Sequence, residues 1–577
     1  MRSQAFLSRV GHFLLLLAAI GPLAGAADSA PRSADKTTPV LLGVNMAGDW
    51  HSYTHHGKDC YEYEAWYRAM ADLGAQFADI NFLIQDFFTP FPIDAPGVMA
   101  RLETLDEGMT RHGLKYVLNT ELADNATSLV LTAGVNEFEN RGDGTHRWDF
   151  RMEWISRLLP PGRPGAPALI GINYDEADHM TLWGGYGTDD RKADTPYFVN
   201  TNGMDLEKAY EALVAKCVQI RREHYHNRLP IAAETGFPDM EHIYARAGWA
   251  LGNKMIKECV NSVDMASFLG AGIEYADRTD IWTCNDLWKV ERYPGWSPEA
   301  LRSSLLMSYW IGASRIYVEN MDYHGSPKVP RHPQASPAGS LVTWSDPDHY
   351  QLTNHGKVVQ DVFKNYIPAH PRTVSWRDYR PSVAFIHMPD GDWGQKGSWY
   401  RDRLLGNKDH PSDEISHEWL HVWPILTHGV ARDGAISLQN FKLYTNARDF
   451  PVLVPINNVA VFDHLAKGPV LDSVKCFIVC GQALSRGTFQ DIARRVRNGK
   501  ATCIIARRLY RKYAQGLLPG DWLIVDDFHD PAIAAKLEPF LGPADVARFR
   551  FKGQTVEFRP GQAPDSITVS VTKTACR

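Results

Sequence analysis

ALIGINYDEADH, residues 168–179, joins a short apolar run to a group of acidic side chains. The run from Ala168 to Tyr174 has the length and composition of a strand that is buried on both faces. Such strands are typical of parallel sheets, whose two faces are covered by helices. Asp175 and Glu176 follow at once, so we expect them at the carboxyl end of that strand, where α/β folds carry their chemistry.

Seven more apolar runs of this kind lie between residues 39 and 319, and helical stretches separate several of them. Alternating strands and helices predict parallel strands with right-handed crossovers. Eight such units in about 290 residues match a closed (β/α)8 TIM barrel. An open sheet usually carries a Gly-rich phosphate loop after its first strand, but residues 45–51 here read NMAGDWH. The predicted strands are Pro39–Met46, Phe77–Ile84, Leu114–Leu122, Ala168–Tyr174, Leu229–Glu234, Lys254–Val260, Asp280–Asn285 and Ser314–Glu319, and the predicted helices are Glu62–Leu73, Val98–His112, Leu206–His224 and Pro298–Ile311.

The chain beyond the barrel divides by composition. The barrel segment, 38–349, ends in a Pro-, Ser- and Gly-rich stretch over 325–349 that predicts a loop, and 350–380 predicts a bridging helix and linker. A second strand–helix alternation over 381–520 predicts a doubly wound, flavodoxin- or amidotransferase-like α/β domain. Short strand-like runs over 521–577 predict a small β-rich tail. The strands predicted in these two regions are Ser382–His387, Val452–Ile456, Cys476–Val479, Ala501–Ile505, Phe549–Phe551 and Ile567–Val571.

The first 26 residues have the features of a secretory signal peptide. Basic residues precede an apolar run over 13–20, and small residues lead to Ala26, where we predict cleavage. The run is too short for a stable membrane anchor. We therefore expect a secreted or periplasmic protein with no membrane segment after cleavage, and residues 27–37 predict a disordered leader.

The amino-acid composition indicates which classes of molecule this protein binds. The net charge of −6 and the lack of a Lys/Arg-rich run argue against nucleic-acid binding. The 17 tryptophans suit either core packing or stacking on sugars. The eight cysteines are scattered without zinc spacing, so we expect mostly buried free thiols, no metal and no cofactor. Cys480 follows a predicted strand, and we interpret it as a structural thiol.

Carboxylates end several of the predicted barrel strands, and the carboxyl ends of barrel strands meet at one rim. Two carboxyl groups, one protonated and one ionised, are the machinery of glycoside hydrolysis. Glu176 is the candidate general acid, because the adjacent negative charge of Asp175 favours its protonated form. Glu319, Asp286 and Glu234 are the candidates for the second carboxylate, although each could instead be a structural ion-pair member.

Polar and aromatic side chains beside the strand ends are candidates for substrate binding. Flat aromatic rings stack on the apolar faces of sugars, but each ring could equally be part of the core. The candidates are Asn45, Trp50, His51, Glu121, Asn173, Asp175, Trp183, Trp282, Trp288 and Tyr323.

This organisation resembles the clan A glycoside hydrolases, in particular the multidomain β-galactosidases of family 42. Those proteins join a catalytic barrel, an amidotransferase-like domain and a small β domain in this order. In that clan the acid/base Glu follows an Asn at the end of strand four, which resembles Asp175-Glu176 with Asn173 two places earlier. The clan's nucleophile is a Glu at the end of strand seven, whereas the matching stretch 281–286 has only Asp286. The resemblance implies a carbohydrate substrate, a retaining mechanism and self-association through the second domain.

Three alternatives stay open. An Asp-Glu pair on strand four is also similar to that of hexosaminidase-like families, in which the acetamido group of the substrate is the nucleophile. The absent strand-seven Glu also fits a noncatalytic carbohydrate-binding barrel. The histidines over 51–56 leave a weaker alternative, a metal-dependent hydrolase.

Overall fold

Eight parallel strands close into a barrel, in which each strand pairs with its neighbours in sequence and the last pairs with the first. The computed structural model describes residues 38–46, 54–55, 58–82, 95–119, 150, 152–159, 167–175, 177, 181–182, 199–224, 227–235, 238–256, 260–287, 296–319, 321, 340–394, 403–436 and 451–573. The predicted (β/α)8 barrel is confirmed. Its strands are β1 Leu41–Met46, β2 Phe77–Asn81, β3 Lys115–Asn119, β4 Leu169–Asp175, β5 Ile231–Thr235, β6 Ala250–Met255, β7 Ile281–Asn285 and β8 Arg315–Val318.

The sixth strand lies four residues before its predicted start. The sequence predicted Lys254–Val260, but β6 begins at Ala250, two residues after Gly248 ends a helix in a left-handed conformation with φ 85°. Gly252 and Asn253, both poor strand formers, lie inside β6. They interrupt its apolar pattern, so the sequence pattern did not predict a strand there. The shift places Lys254 inside the sheet, with its side chain buried.

Helices cover the outside of the barrel. Leu206–His224 was predicted with the bounds that the structure has, and the helix from Pro298 begins at an N-cap, Ser297, whose side chain accepts a hydrogen bond from the backbone N–H of Ala300. Three helices had no prediction. The helices are α1 Glu64–Leu73, α2 Ala95–Arg111, α3 Met152–Leu158, α4 Leu206–His224, α5 Glu241–Ala247, α6 Asn261–Glu274 and α7 Pro298–Trp310.

Large side chains fill the amino-terminal end of the barrel. The guanidinium carbon of Arg315 lies 3.9 Å from the centroid of the Trp282 ring. Glycines make room for these groups: a Cβ on Gly43 would overlap the ring of Phe77, and one on Gly171 would lie 3.2 Å from Trp282. This end is therefore a packed core, and the polar interior begins above it.

A five-stranded parallel sheet follows, with the order β13-β11-β14-β15-β16. The first strand in sequence lies inside the sheet, between the second and the third, and this order is typical of the doubly wound arrangement that was predicted. A four-stranded sheet of order β12-β17-β18-β19 lies beside it. The strands are β11 Val383–Ile386, β12 Ile456–Asn457, β13 Val459–Phe462, β14 Cys476–Val479, β15 Thr502–Ala506, β16 Trp522–Val525, β17 Ala547–Phe551, β18 Gln554–Pro560 and β19 Ile567–Lys573.

Several boundaries differ from the sequence analysis. Residues 342–352 form a hairpin, β9 Val342–Asp346 with β10 His349–Leu352, inside and just beyond the stretch expected to be a loop. The predicted strand Val452–Ile456 is replaced by β12 and β13, which belong to different sheets. β16 extends the parallel sheet past residue 521, where we expected the β-rich tail to begin.

Helices also border the later sheets. The helix α8 Asn354–Asp361 continues through a π-helical turn over Val362–Tyr366, close to the predicted bridging helix. The remaining α-helices of four or more residues in the described part are α9 Glu414–His417, α10 Trp423–Leu426, α11 Arg486–Arg497, α12 Arg507–Tyr513 and α13 Pro531–Leu537.

The structure also shows the state of the cysteines and the hydropathy of the helices in the described residues. Five cysteines in the described ranges are free and buried: Cys217, Cys284, Cys476, Cys480 and Cys503. Burial raises the pKa of the Cys480 thiol well above its ordinary value, which agrees with a structural role. Across the residues with described positions, no helix is long and apolar enough to cross a membrane.

The barrel and the parallel sheet pack through α6 and β13 with almost no space between their backbones. A Cβ on Gly270 of α6 would overlap the carbonyl oxygen of Val461 in β13. The ring of His242 lies next to the same carbonyl, with Nε2 2.9 Å from the oxygen. Asp463, just past β13, donates its backbone N–H to Glu274 at the end of α6 at 3.0 Å.

We predict that Gly270→Ala separates this contact and destabilises the protein by about 2–3 kcal/mol, in the range for overpacking a tight interior. Gly97→Ala is the matched control, since Gly97 also lies in a helix and its Cβ would meet no atom within 4 Å. Urea unfolding of both variants measures the effect. Equal stability of the two variants would contradict the close backbone contact.

Candidate active site

A buried lysine lies among three carboxylates at the carboxyl end of the barrel. Nζ of Lys254 on β6 is 3.1 Å from Asp175 of β4, 3.5 Å from Glu234 of β5 and 4.0 Å from Glu319, which directly follows β8. The side chains of all four residues are between 1% and 7% exposed. Inward positions of parallel strands come together in a closed barrel, so residues far apart in sequence form one charged cluster.

Asp79 of β2 organises the opposite side of the interior. Its Oδ2 accepts hydrogen bonds from the side-chain amides of Asn45 at 2.8 Å, Asn119 at 3.0 Å and Asn173 at 3.1 Å. Burial raises the pKa of Asp79 to about 6, although the three amide donors oppose that rise. The amides come from β1, β3 and β4, so one carboxylate ties four neighbouring strands together.

Glu234 connects this amide cluster to the lysine. Its Oε2 accepts a hydrogen bond from Asn173 at 2.7 Å and another from the hydroxyl of Tyr317 on β8. Burial raises the pKa of Glu234 to about 8, the negative charge of Asp175 raises it further, and Lys254 opposes the rise. At neutral pH this carboxyl group therefore holds a proton for much of the time.

Glu319 and Asp286 lie at the ends of neighbouring strands. Glu319 accepts a hydrogen bond from the thiol of Cys284, with Sγ 3.6 Å from Oε2. One oxygen each of Glu234 and Glu319 and the sulfur of Cys284 lie within 4.8 Å of one another. Asp286 donates its backbone N–H to Met255 at 3.3 Å and is 1% exposed. Burial and the negative charges of Glu234, Glu319 and Asp286 all raise the pKa of the Cys284 thiol well above its ordinary value.

The structure therefore places seven of the predicted site residues. Glu234, Asp175 and Glu319 meet around Lys254, and Asn45 and Asn173 meet around Asp79. Trp282, a candidate for sugar stacking, is instead buried at the other end of the barrel with its ring against Arg315, which favours a packing role. Asp286, the seventh of these residues, is buried directly after the end of β7. The candidates that lie outside the described residues are Glu176, Trp50, His51, Glu121, Trp183, Trp288 and Tyr323.

Sequence reasoning missed five members of this site: Lys254, Asp79, Tyr317, Asn119 and Cys284. Asp79 carried a usable signal, because a charged residue in the middle of an apolar strand has to face a polar interior. Lys254 was hidden by the misplaced sixth strand. Tyr317 looked like an ordinary β-forming aromatic residue, and no pattern distinguished it.

The fold has counterparts among solved structures. The β-galactosidase from the psychrophilic Marinomonas ef1 superposes with a TM-score of 0.52 at 11% identity, over 90% of this chain and 95% of that chain. The exo-β-1,4-mannosidase Op5Man5 from Opitutaceae bacterium strain TAV5 has a TM-score of 0.43 at 12% identity, over 94% of this chain and 87% of that chain. The predicted resemblance to a multidomain β-galactosidase is thus confirmed for the fold. No family model matches the sequence, and no curated protein does.

We predict that Lys254→Met lowers the free energy of unfolding by about 3–5 kcal/mol, because it leaves buried carboxylates without their counter-charge. Lys208→Met is the matched control, since Lys208 pairs with Asp205 on the surface at 76% exposure. Thermal and urea unfolding measure both variants. A Lys254→Met protein as stable as the control variant would show that the carboxylates do not depend on the ammonium group.

We also predict that thermal stability falls as pH rises from about 5 to about 9. The folded-state pKa values of Glu234, about 8, and Asp79, about 6, lie above the ordinary values of 4.5 and 3.8. The folded protein therefore binds these two protons more tightly than the unfolded chain does. The stability that they contribute is complete below the ordinary pKa values, and it is lost as the pH rises through about 6 for Asp79 and about 8 for Glu234.

Glu234→Gln isolates the contribution of Glu234 to this pH dependence. The amide oxygen still accepts hydrogen bonds from Asn173 and Tyr317, but the group cannot ionise. Scanning calorimetry across the pH range should show a smaller fall for the variant than for the wild type. Parallel curves for the two proteins would show that Glu234 does not titrate in this interval.

Proposed function

We propose that this protein is a glycoside hydrolase acting on an oligosaccharide or polysaccharide. The observation that carries the proposal is the convergence of Asp175, Glu234 and Glu319 on Lys254 at the carboxyl end of a closed barrel. Barrel enzymes carry their chemistry at that end. The fold shared with the Marinomonas β-galactosidase supports the same class of reaction.

Glu176 is the proposed general acid. It directly follows Asp175, the last residue of β4, whose carboxylate is fixed by Lys254 at 3.1 Å. The fixed negative charge of Asp175 favours the protonated form of a neighbouring carboxyl group. A protonated Glu176 would donate its proton to the glycosidic oxygen as the bond to the leaving sugar breaks.

Glu319 is the proposed second carboxylate. It is 5% exposed, against 1% for both Glu234 and Asp286, and it lies beyond the last residue of β8. Lys254 at 4.0 Å stabilises a negative charge on it. Glu234 suits a positioning role better, because Asn173 and Tyr317 occupy one of its oxygens and Lys254 lies beside the other.

In the retaining mechanism that we propose, Glu319 attacks the anomeric carbon and forms a covalent glycosyl-enzyme. Water then hydrolyses that intermediate, with Glu176 acting as base. The substrate-assisted, hexosaminidase-like alternative has less support, since Asp175 would have to orient an acetamido group while its carboxylate is paired with Lys254. Asp286 remains the alternative nucleophile at the end of β7.

Export is part of the proposal. A signal peptide cleaved after Ala26 would deliver the enzyme to the periplasm or the medium, where polysaccharides are encountered. Mass spectrometry of the mature protein after expression with its leader would test the cleavage site.

Activity on a panel of aryl glycosides and polysaccharides tests the enzymatic proposal. We expect hydrolysis by the wild type and a fall in kcat/KM of at least about 100-fold for Glu176→Gln and for Glu319→Gln. Glu103→Gln, at a surface pair with Arg157, is the matched control and should keep full activity. Proton NMR of the first-formed anomer distinguishes retention from inversion.

The competing functions give different results in the same experiment. Cleavage confined to N-acetylhexosaminides, with Asp175→Asn as damaging as Glu176→Gln, would favour the substrate-assisted mechanism. Glycan binding by calorimetry without hydrolysis of any substrate would favour a noncatalytic barrel. If Glu319→Gln keeps full activity and Asp286→Asn loses it, Asp286 and not Glu319 is the second catalytic carboxylate.

A further inference from the structure

A second buried group of ionisable side chains lies between the barrel and the parallel sheet. Asp239 lies between β5 and α5, His387 directly follows β11, and Asp390 lies three residues later. They are 3%, 1% and 0% exposed. Nε2 of His387 is 3.3 Å from Oδ1 of Asp239 and 3.9 Å from Oδ1 of Asp390. One ligand-type atom of each residue lies within 4.8 Å of the other two.

The imidazole ring of His387 is held firmly in place. It stacks on Trp419, with ring centroids 4.9 Å apart and an angle of 16° between the planes. The backbone of Gly481 packs so closely on its edge that a Cβ there would overlap Nδ1. Within the described part of the chain, neither ring nitrogen has an aligned hydrogen-bond partner. A buried imidazole nearly always has such a partner, so this ring points to a group that the described side chains and backbone do not supply.

The surrounding charge is strongly negative. Glu241 is completely buried, and neither of its oxygens has a hydrogen-bond partner among the residues that are described. Buried carboxylates require a counter-charge, a proton or a metal ion, and a cation at His387 would supply the charge.

Asp239 is oriented as a metal ligand would be. Its Oδ2 accepts the backbone N–H groups of Asp390, at 2.9 Å, and of Gly391. These bonds turn Oδ1 toward His387, and such outer contacts commonly fix a ligating carboxylate. The donor atoms of a tetrahedral site lie about 3.3–3.6 Å apart when metal–ligand bonds are about 2.0–2.2 Å long. Nε2 of His387 and Oδ1 of Asp239 are at such a distance, 3.3 Å, whereas Oδ1 of Asp390, at 3.9 Å from Nε2, would move closer when the ion binds.

We propose that Asp239, His387 and Asp390 bind a divalent transition-metal cation of the Zn²⁺ or Mn²⁺ type. One imidazole and two carboxylates are a donor set that such ions accept. Asp239 belongs to the barrel, whereas His387 and Asp390 belong to the parallel sheet, so the ion links the two. This role is structural and is independent of the proposed glycosidase chemistry.

Metal binding by the full chain tests the proposal. After treatment with a chelator, the protein is titrated with Zn²⁺, Mn²⁺ and Mg²⁺, and bound metal is measured by mass spectrometry alongside the melting temperature. We expect one Zn²⁺ or Mn²⁺ per chain at this site, a higher melting temperature with the ion, and little effect of Mg²⁺. Asp239→Asn and His387→Gln should each weaken binding by at least about 100-fold, more than the loss of an outer contact causes.

His529→Ala is the matched control, because Glu414, His421 and His529 form a surface group whose ligand-type atoms also lie within 4.8 Å. That variant should still bind the ion and gain stability from it. If His387→Gln fails to fold, Asp239→Asn decides, since its amide oxygen can still accept the two backbone N–H groups. The proposal is overturned if no transition metal binds stoichiometrically, if Asp239→Asn binds as the wild type does, or if the binding is lost in His529→Ala.

Discussion

The ammonium group of Lys254 is the charge on which the interior of the barrel depends. It lies within 4.0 Å of three carboxylates that come from β4, β5 and the end of β8. Without a cation, three buried acids in so small a volume would repel one another and lose their hydration without compensation. With it, they form a cluster that links β4, β5, β6 and the end of β8 and keeps the acidic side chains turned inward.

A second, neutral set of donors completes the arrangement. The amides of Asn45, Asn119 and Asn173 all donate to Asp79, and Asn173 also donates to Glu234. The two clusters thus share a hydrogen-bond network, and a change in one carboxyl group is felt by the other. Cooperative networks of this kind fix side-chain positions well, as the proposed pair of catalytic carboxyl groups would require.

Much of the fold could be predicted from the sequence, because the structure is built from local patterns. Parallel strands buried on both faces are short apolar runs, and α4 was found with its observed bounds from helical spacing alone. β6 was missed because its residues Gly252 and Asn253 interrupt the apolar pattern, and with it Lys254 was missed as a member of the site. The acids at the strand ends were found, since their position after each run was enough.

Pairings between distant residues could not be predicted. Nothing in the sequence connects Asp239 with His387, because the chain completes the barrel before it returns to form β11. The same limit applies to the choice among Glu234, Asp286 and Glu319, which are all acidic and all lie at or directly after the end of a predicted strand. Their different partners, Asn173 and Tyr317 for Glu234 and Cys284 for Glu319, arise only from closure of the barrel.

The stacked pair of Trp282 and Arg315 has a consequence for how a large molecule could enter. Because this pair and Phe77 fill the amino-terminal end, the buried carboxylates can be approached only from the carboxyl end of the barrel. A polymer could not pass through the barrel along its axis. A molecule that reaches the carboxylates therefore arrives and departs on the same side of the barrel.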